Sequence, residues 1–212
     1  MSTILLTAFE PFAGDEVNPT EEVLKDFPDY LYDMKVIKTT LPVIYNHCFD
    51  TLLPLIEKYK PEVILHLGYA KGRSHVSIER VAINVNESKT PDNVGTVLDG
   101  ETIISGGPDG LFTTLPIKYL KERFRSKALP AEISNTAGTY ICNNLFYRTL
   151  HFVKSYNMQS KVGFIHIPAF PAMASKEKIP SMSKSTITEI LVQTLDTVLN
   201  PFDIREFGQE VE

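Results

Sequence analysis

Val63-Ile64-Leu65-His66-Leu67-Gly68 is a short, almost unbroken apolar run closed by a glycine. A strand wetted on one face alternates apolar with polar residues. A run without alternation reads as a strand buried on both faces, the mark of a parallel sheet covered by helices. The same reading extends outward in both directions. Upstream, residues 3–9 form a second buried strand. Asn18-Pro19-Thr20-Glu21 then starts a helix, with Asn as the cap, Pro at the first helical position and an acid in the first turn. Residues 34–41 alternate as a strand, and 44–59 place Cys48, Leu52, Leu55 and Ile56 on one helical face. Downstream, 75–84 alternate as a strand. Residues 91–110 gather Gly, Asp and Pro into a long loop, a feature often functional in compact domains. A helix over 115–124, a strand over 131–135, a helix over 140–156, a strand over 162–167 and a helix over 183–199 complete the chain. Strands alternating with helices predict an α/β fold with a largely parallel sheet. Without a repeat or linker, residues 1–212 read as a single domain, with a polar, acidic tail after about residue 200 that frays or makes a peripheral contact.

Composition narrows the function. A chain of 212 residues with 43% hydrophobic and 22% charged residues can bury a sizeable core. A formal net charge of -5 argues against nucleic acid or an anionic membrane as partner. Two cysteines, Cys48 and Cys142, make no disulfide framework. The first residues lack the basic region of a signal peptide, and no stretch approaches the ~20 apolar residues that span a bilayer. The expected compartment is the reduced cytoplasm, where a free thiol persists.

Cys142 follows Ser134-Asn135-Thr136-Ala137-Gly138-Thr139-Tyr140-Ile141 and falls in the first turn of the 140–156 helix. There, unpaired N–H groups and the helix dipole are expected to lower a thiol's pKa and favour the nucleophilic thiolate. In open α/β sheets, sites collect outside the carboxyl ends of strands. His166 lies near the end of the 162–167 strand, and Glu79 lies in the 75–84 strand. A thiolate needs a base or ion-pair partner, and that imidazole is usually oriented by a third polar group. Each residue also has a plainer reading. By position alone Cys142 is more often a small core residue, His166 a hydrogen-bonded core histidine, and Glu79 the surface partner of Arg80. Pattern alone ranks His166 and His66 equally as the base. Cys48 reads as core. His47, His75 and His151 lack metal-ligand spacing, and Gly68-Tyr69-Ala70-Lys71-Gly72 matches neither phosphate-binding glycine pattern.

Four blocks in order break that tie: Leu6-Thr7-Ala8-Phe9-Glu10-Pro11-Phe12-Ala13-Gly14 with Asn18-Pro19; Glu79-Arg80-Val81-Ala82-Ile83-Asn84 with Pro91-Asp92-Asn93; Ser134 through Asn143; and Gly163-Phe164-Ile165-His166-Ile167-Pro168 with Pro180-Ser181-Met182. With them the chain resembles the pyroglutamyl peptidases, or pyrrolidone-carboxylate peptidases, of the bacterial cytoplasmic type, over nearly its whole length. The resemblance implies a single α/β/α sandwich, often a homotetramer, that removes an N-terminal pyroglutamyl residue from peptides by thiol catalysis without metal or cofactor. It assigns Cys142 as nucleophile, His166 as general base and Glu79 as the third member, and it demotes His66. For the substrate pocket it implies Phe9 and Phe12 flanking the lactam ring, Asn18 as a nearby polar group and Ile141 as an apolar wall.

The chain departs from the family at two places. Tyr69 stands where many bacterial members carry a Gln that helps read the lactam. Lys89 stands where the family tends to carry Arg, keeping the charge but losing the forked guanidinium. These departures leave two further readings open: a cysteine amidase of shifted specificity, and a lactam-binding member without turnover.

Overall fold

The computed structural model describes residues 2–200. In chain order the elements are β1 (Thr3–Phe9), α1 (Pro19–Asp26), β2 (Tyr30–Leu31), β3 (Met34–Leu41), α2 (His47–Tyr59), β4 (Val63–Tyr69), β5 (Val76–Glu79), β6 (Val81–Ile83), β7 (Asn86–Glu87), β8 (Asp99–Glu101), β9 (Gly110–Phe112), α3 (Ile117–Ser126), β10 (Ala131–Ser134), α4 (Ile141–Ser155), β11 (Lys161–Ile167), α5 (Pro171–Glu177) and α6 (Lys184–Leu199). Seven strands form the main sheet in the order β10-β5-β11-β4-β1-β3-β2. β11, β4, β1 and β3 run parallel. β5 pairs antiparallel with β11, β10 runs parallel to β5, and β2 is an antiparallel edge on β3. The sheet is therefore mixed but largely parallel, as the apolar runs predict.

Alternate residues of the buried strands serve two cores. Ile4, Leu6, Leu65, Leu67, Ile165 and Ile167 face α1, α3 and α6 through Val23, Phe124, Ile187 and Leu191. Leu5, Ile64, Val162 and Phe164 face α2 and α4 through Leu52, Ile56, Leu145 and Phe146. Each fully buried side chain of this kind stabilises the fold by roughly 1.5–3 kcal/mol, so both faces must be covered. The result is a three-layer α/β/α sandwich.

Local signals account for the helix ends. Asn18 caps α1 by accepting from the Thr20 N–H, and Ser183 caps α6 by accepting from Thr186. α2 begins at His47, three residues later than its apolar spacing suggests, behind Asn46 with a positive φ of 62°.

Three departures from the sequence reading bear on the site. β4 does not end at Gly68 but runs on to Tyr69, because a bare glycine there leaves space for the Phe164 and His166 rings of β11. The 75–84 strand is two strands, with β5 in the main sheet and β6 paired with β9 in a separate ribbon. The break falls at Arg80, whose N–H donates to Ser134 O and whose carbonyl accepts from Thr113 N. The 91–110 loop contains β8, which pairs with β7. β2 and the short α5 carry no sequence signal that we read. The polar tail lies largely outside the described residues.

Candidate active site

α4 presents Cys142 in its first turn, after Tyr140 as the non-helical cap and Ile141 as the first helical residue. The start of this helix is fastened by amide side chains. Asn143 Nδ2 donates to Ile83 O at 2.8 Å and Val85 O at 3.0 Å, and Asn143 Oδ1 accepts from Ile83 N at 2.9 Å. Asn144 Nδ2 donates to Asn86 Oδ1. Asn84 in turn bridges Ile104 and Gly107. Buried amides with several partners are costly to leave unpaired, so they fix one arrangement. The Glu79-to-Asn84 block thereby fixes both the carboxylate and the ribbon against which the Cys142 helix is pinned.

β5 and β11 bring Glu79 and His166 together by running in opposite directions. His166 lies opposite Ser77 and Ile165 opposite Ile78, which leaves Glu79 diagonal to His166 on the same face. Glu79 Oε1 lies 2.8 Å from His166 Nδ1. The carboxylate side chain is wholly buried and the imidazole nearly so. Glu79 is therefore not the surface partner of Arg80. Its second partner is Arg73, whose Nη1 donates to the same Oε1 at 2.8 Å. The other oxygen, Oε2, is buried without a hydrogen bond.

The Cys142 thiol departs from expectation. Burial pushes it up from 9.0 to about 12, with smaller upward contributions from Cys48 and Glu79; Arg73 and the Cys142 backbone N–H pull it down. A helix terminus contributes ~0.3–1 kcal/mol, whereas moving a pKa by one unit takes about 1.4 kcal/mol. The helix start is therefore outweighed by the loss of water around the sulfur. Cys142 rests as a neutral thiol at neutral pH and needs a base to ionise.

The part of Cys142 that remains exposed lines a tight cavity of about 20 Å³ whose other walls include Phe9, Phe12, Asn18, Val43, Tyr69, Tyr140 and Ile141. Five of the six expected pocket residues thus share one cavity with the thiol. Asn18 reaches it with its amide mostly engaged: Oδ1 accepts from Thr20 N and Oγ1, and Nδ2 donates to Glu10 O. The sixth, Lys89, is exposed on the 88–90 segment and is not among the lining residues. Tyr140 and Val43 were missed. Tyr140 looked like the helix start alone, yet its ring packs on Phe12 and Tyr45, and its hydroxyl donates to Pro91 O.

His66 is the sheet's interior histidine. It is fully buried, with Nδ1 2.9 Å from Thr7 Oγ1 and Nε2 3.1 Å from Thr149 Oγ1, and burial pushes its pKa down to about 3. Cys48 is buried in the α2–α4 core.

A thiol facing a small apolar cavity and feeling the charge of a buried carboxylate that holds an imidazole, on an α/β/α sandwich, is the chemistry of a cysteine hydrolase. Comparison with known proteins narrows the class. The family model for pyroglutamyl peptidase matches residues 2–200. The chain is 38% identical to the pyrrolidone-carboxylate peptidase of Thermosipho africanus, over 94% of this chain and 98% of that protein. It is 42% identical to that of Oceanobacillus iheyensis, over 92% and 100%. Its fold superposes on the pyrrolidone carboxyl peptidase of Pyrococcus furiosus with a TM-score of 0.90 at 35% identity, covering 94% of this chain and 99% of that one. On the pyroglutamyl peptidase I of Bacillus amyloliquefaciens the TM-score is 0.88 at 36% identity, covering 93% and 94%. The chain belongs to the pyroglutamyl peptidase family.

Proposed function

We propose that this protein hydrolyses the bond after an N-terminal pyroglutamyl residue, with Cys142 as nucleophile, His166 as general base and acid, and Glu79 as the group that orients His166. The observation that carries the assignment is the Glu79–His166 hydrogen bond of 2.8 Å, together with a Cys142 thiol that feels the Glu79 charge and opens onto a cavity shared with Phe9, Phe12 and Tyr69. Pyroglutamate has no free α-amine and no charge on its ring. A small cavity with aromatic walls and few polar groups suits a neutral lactam, and it holds no carboxylate that would reward an ammonium.

The reaction follows from the protonation states. As Cys142 Sγ attacks the pyroglutamyl carbonyl carbon, its proton passes to His166. The carbonyl oxygen takes the negative charge and is held by N–H groups of the first turn of α4. His166 gives its proton to the departing amine as the C–N bond breaks, leaving a thioester on Cys142. Water then loses a proton to His166 and attacks the thioester; the C–S bond breaks, pyroglutamate leaves, and His166 returns its proton to the Cys142 sulfur. Glu79 stabilises the imidazolium and keeps the other ring nitrogen toward the reaction. Within the cavity, Phe9 and Phe12 flank the ring, Ile141 forms the apolar wall, and the Tyr69 hydroxyl takes the place of the family's amide in reading the lactam. Lys89 keeps the positive charge of the family's Arg without its forked guanidinium.

We also propose that residues 1–212 work as one domain, that four copies assemble, and that the compartment is the cytoplasm. The homotetramer rests on the family resemblance, and two free cysteines suit a reducing environment. No helix among the described residues is long and apolar enough to cross a membrane. Light scattering that returned a monomer would overturn the assembly.

The activity is tested by hydrolysis of a chromogenic pyroglutamyl anilide, with and without reductant, beside the prolyl and glutamyl anilides. Thiol-dependent release from the pyroglutamyl compound alone is expected. Release from none of them by folded protein overturns the assignment.

A further inference from the structure

Arg73 has no role in the reaction described so far, yet it touches the residue that holds the base. β4 and β5 are joined by residues 70–75, which pass over the carboxyl end of β11, with Ala70 N donating to Ile167 O at 3.0 Å. The turn closes through Arg73 N to Ala70 O and is permitted by Gly72 at a φ of +87°. From there Arg73 reaches Glu79. Its guanidinium and the His166 imidazole converge on one oxygen, Oε1, each at 2.8 Å, while Oε2 has no hydrogen bond. The Arg73 side chain keeps 30% of its exposure, whereas that of Glu79 has none.

A buried carboxylate bonded to an imidazole alone biases that imidazole toward its cationic form. An imidazolium cannot accept the thiol proton, and this thiol needs a base. A guanidinium on the same oxygen changes the balance: His166 then faces a pair that is neutral overall. We propose that Arg73 is a positioning residue for the reaction, fixing the Glu79 carboxylate and offsetting its charge where His166 accepts the thiol proton. The inference rests on the assignment of His166 as the base.

Other titratable groups face this cluster. Cys142 approaches from α4, and Tyr69 from β4 borders the same cavity. Glu132 on β10 accepts from Ser77, two residues before Glu79 on the same face. Arg73 is the positive group in hydrogen-bond contact with Glu79, so its removal should act on the proton affinity of the whole cluster. Losing a cation raises that affinity.

The test is the position of the acidic limb of kcat/KM, together with a ¹⁵N-imidazole NMR titration of His166 that needs no turnover, in wild type, Arg73→Gln and Arg73→Lys. In Arg73→Gln both midpoints should move to higher pH by about 1 unit or more, and activity should recover toward wild type as pH rises. Arg73→Lys keeps one donor and the charge, and should return both midpoints close to wild type. A uniform loss of rate with unmoved midpoints overturns the proposal, as does a lysine variant no better than glutamine. Should Arg73→Gln fail to fold, Arg73→Met, which keeps the length of the side chain without the charge, is read in the same titration, with the same rise in midpoint expected and an unmoved midpoint overturning the proposal. A wild type that fails to cleave pyroglutamyl anilide, but whose His166 midpoint moves as described, removes the peptidase assignment and leaves the charge-balance role standing.

Discussion

Cys142 shows how far a single residue's position and its environment can disagree. A helix start argues for a thiolate; the packing around the sulfur argues for a thiol, and the larger effect prevails. In the mechanism we propose, catalysis then depends on proton transfer to His166 at the moment of attack rather than on a standing anion. Cys142→Ser should lower kcat/KM by at least ~10³-fold with unchanged circular dichroism, because a hydroxyl is harder still to ionise in this cavity. Retained turnover would remove Cys142 as nucleophile. Tyr69 is a narrower case. It is buried against the cavity, and its phenol is pushed to higher pKa by burial, so it stays a hydrogen-bond donor. Tyr69→Phe deletes only that hydroxyl. KM for a pyroglutamyl anilide should rise about fivefold with kcat nearly unchanged, the effect of one ordinary hydrogen bond. An unchanged KM would leave Tyr69 as an apolar wall.

Between elements, the site depends on how closely β4 and β11 approach. A Cβ on Gly68 would lie 2.6 Å from Phe164 Cε1 and 2.8 Å from His166 Cδ2. Gly68→Ala should therefore displace the His166 ring as well as overpack the core. The expected result is a loss of about 1–3 kcal/mol in urea unfolding and a fall in kcat of about 100-fold, as a misplaced base would produce. If the rate stayed near wild type, the ring would have to tolerate displacement and the geometric argument would fail. The β5–β6 break belongs to this scale too. Alternation is the same on either side of Arg80, so periodicity reads one strand. Only the pairing of β5 with β11 and of β6 with β9 divides it. The same blindness hid Arg73, a charged residue in a short glycine-containing turn, which pattern reading assigns to solvent.

For the whole molecule, His66 sets a pH dependence of stability. Its pKa is about 3 in the fold against 6.5 when exposed, so the folded state refuses a proton that the unfolded chain accepts. The stability is fully present above about pH 6.5 and is lost as pH falls toward 3. The slope is about 1.4 kcal/mol per pH unit for one such site. Between pH 7 and pH 5 the protein should lose on the order of 2 kcal/mol from this residue. Urea unfolding at the two pH values checks it: the difference should shrink by about that amount in His66→Gln, in which nothing titrates at this site. An equal difference in both proteins would mean that His66 is not held neutral.

The sequence by itself determined the layered α/β architecture, most element bounds and the family. Those rest on local quantities: unbroken apolar runs, helix caps, and residue types at fixed spacing. It also singled out Cys142, His166, Glu79 and the aromatic residues around the thiol, although their pattern left His66 level with His166 until the four blocks were compared. Tertiary structure decided the rest, because it depends on contacts between distant segments. The antiparallel direction of β5 sets Glu79 diagonal to His166, and the turn over β11 brings Arg73 to the same oxygen. The path of the 88–90 segment keeps Lys89 off the cavity wall. Desolvation of the thiol reverses what the helix start alone would give, since burial is a property of everything packed around a residue and of no stretch of sequence.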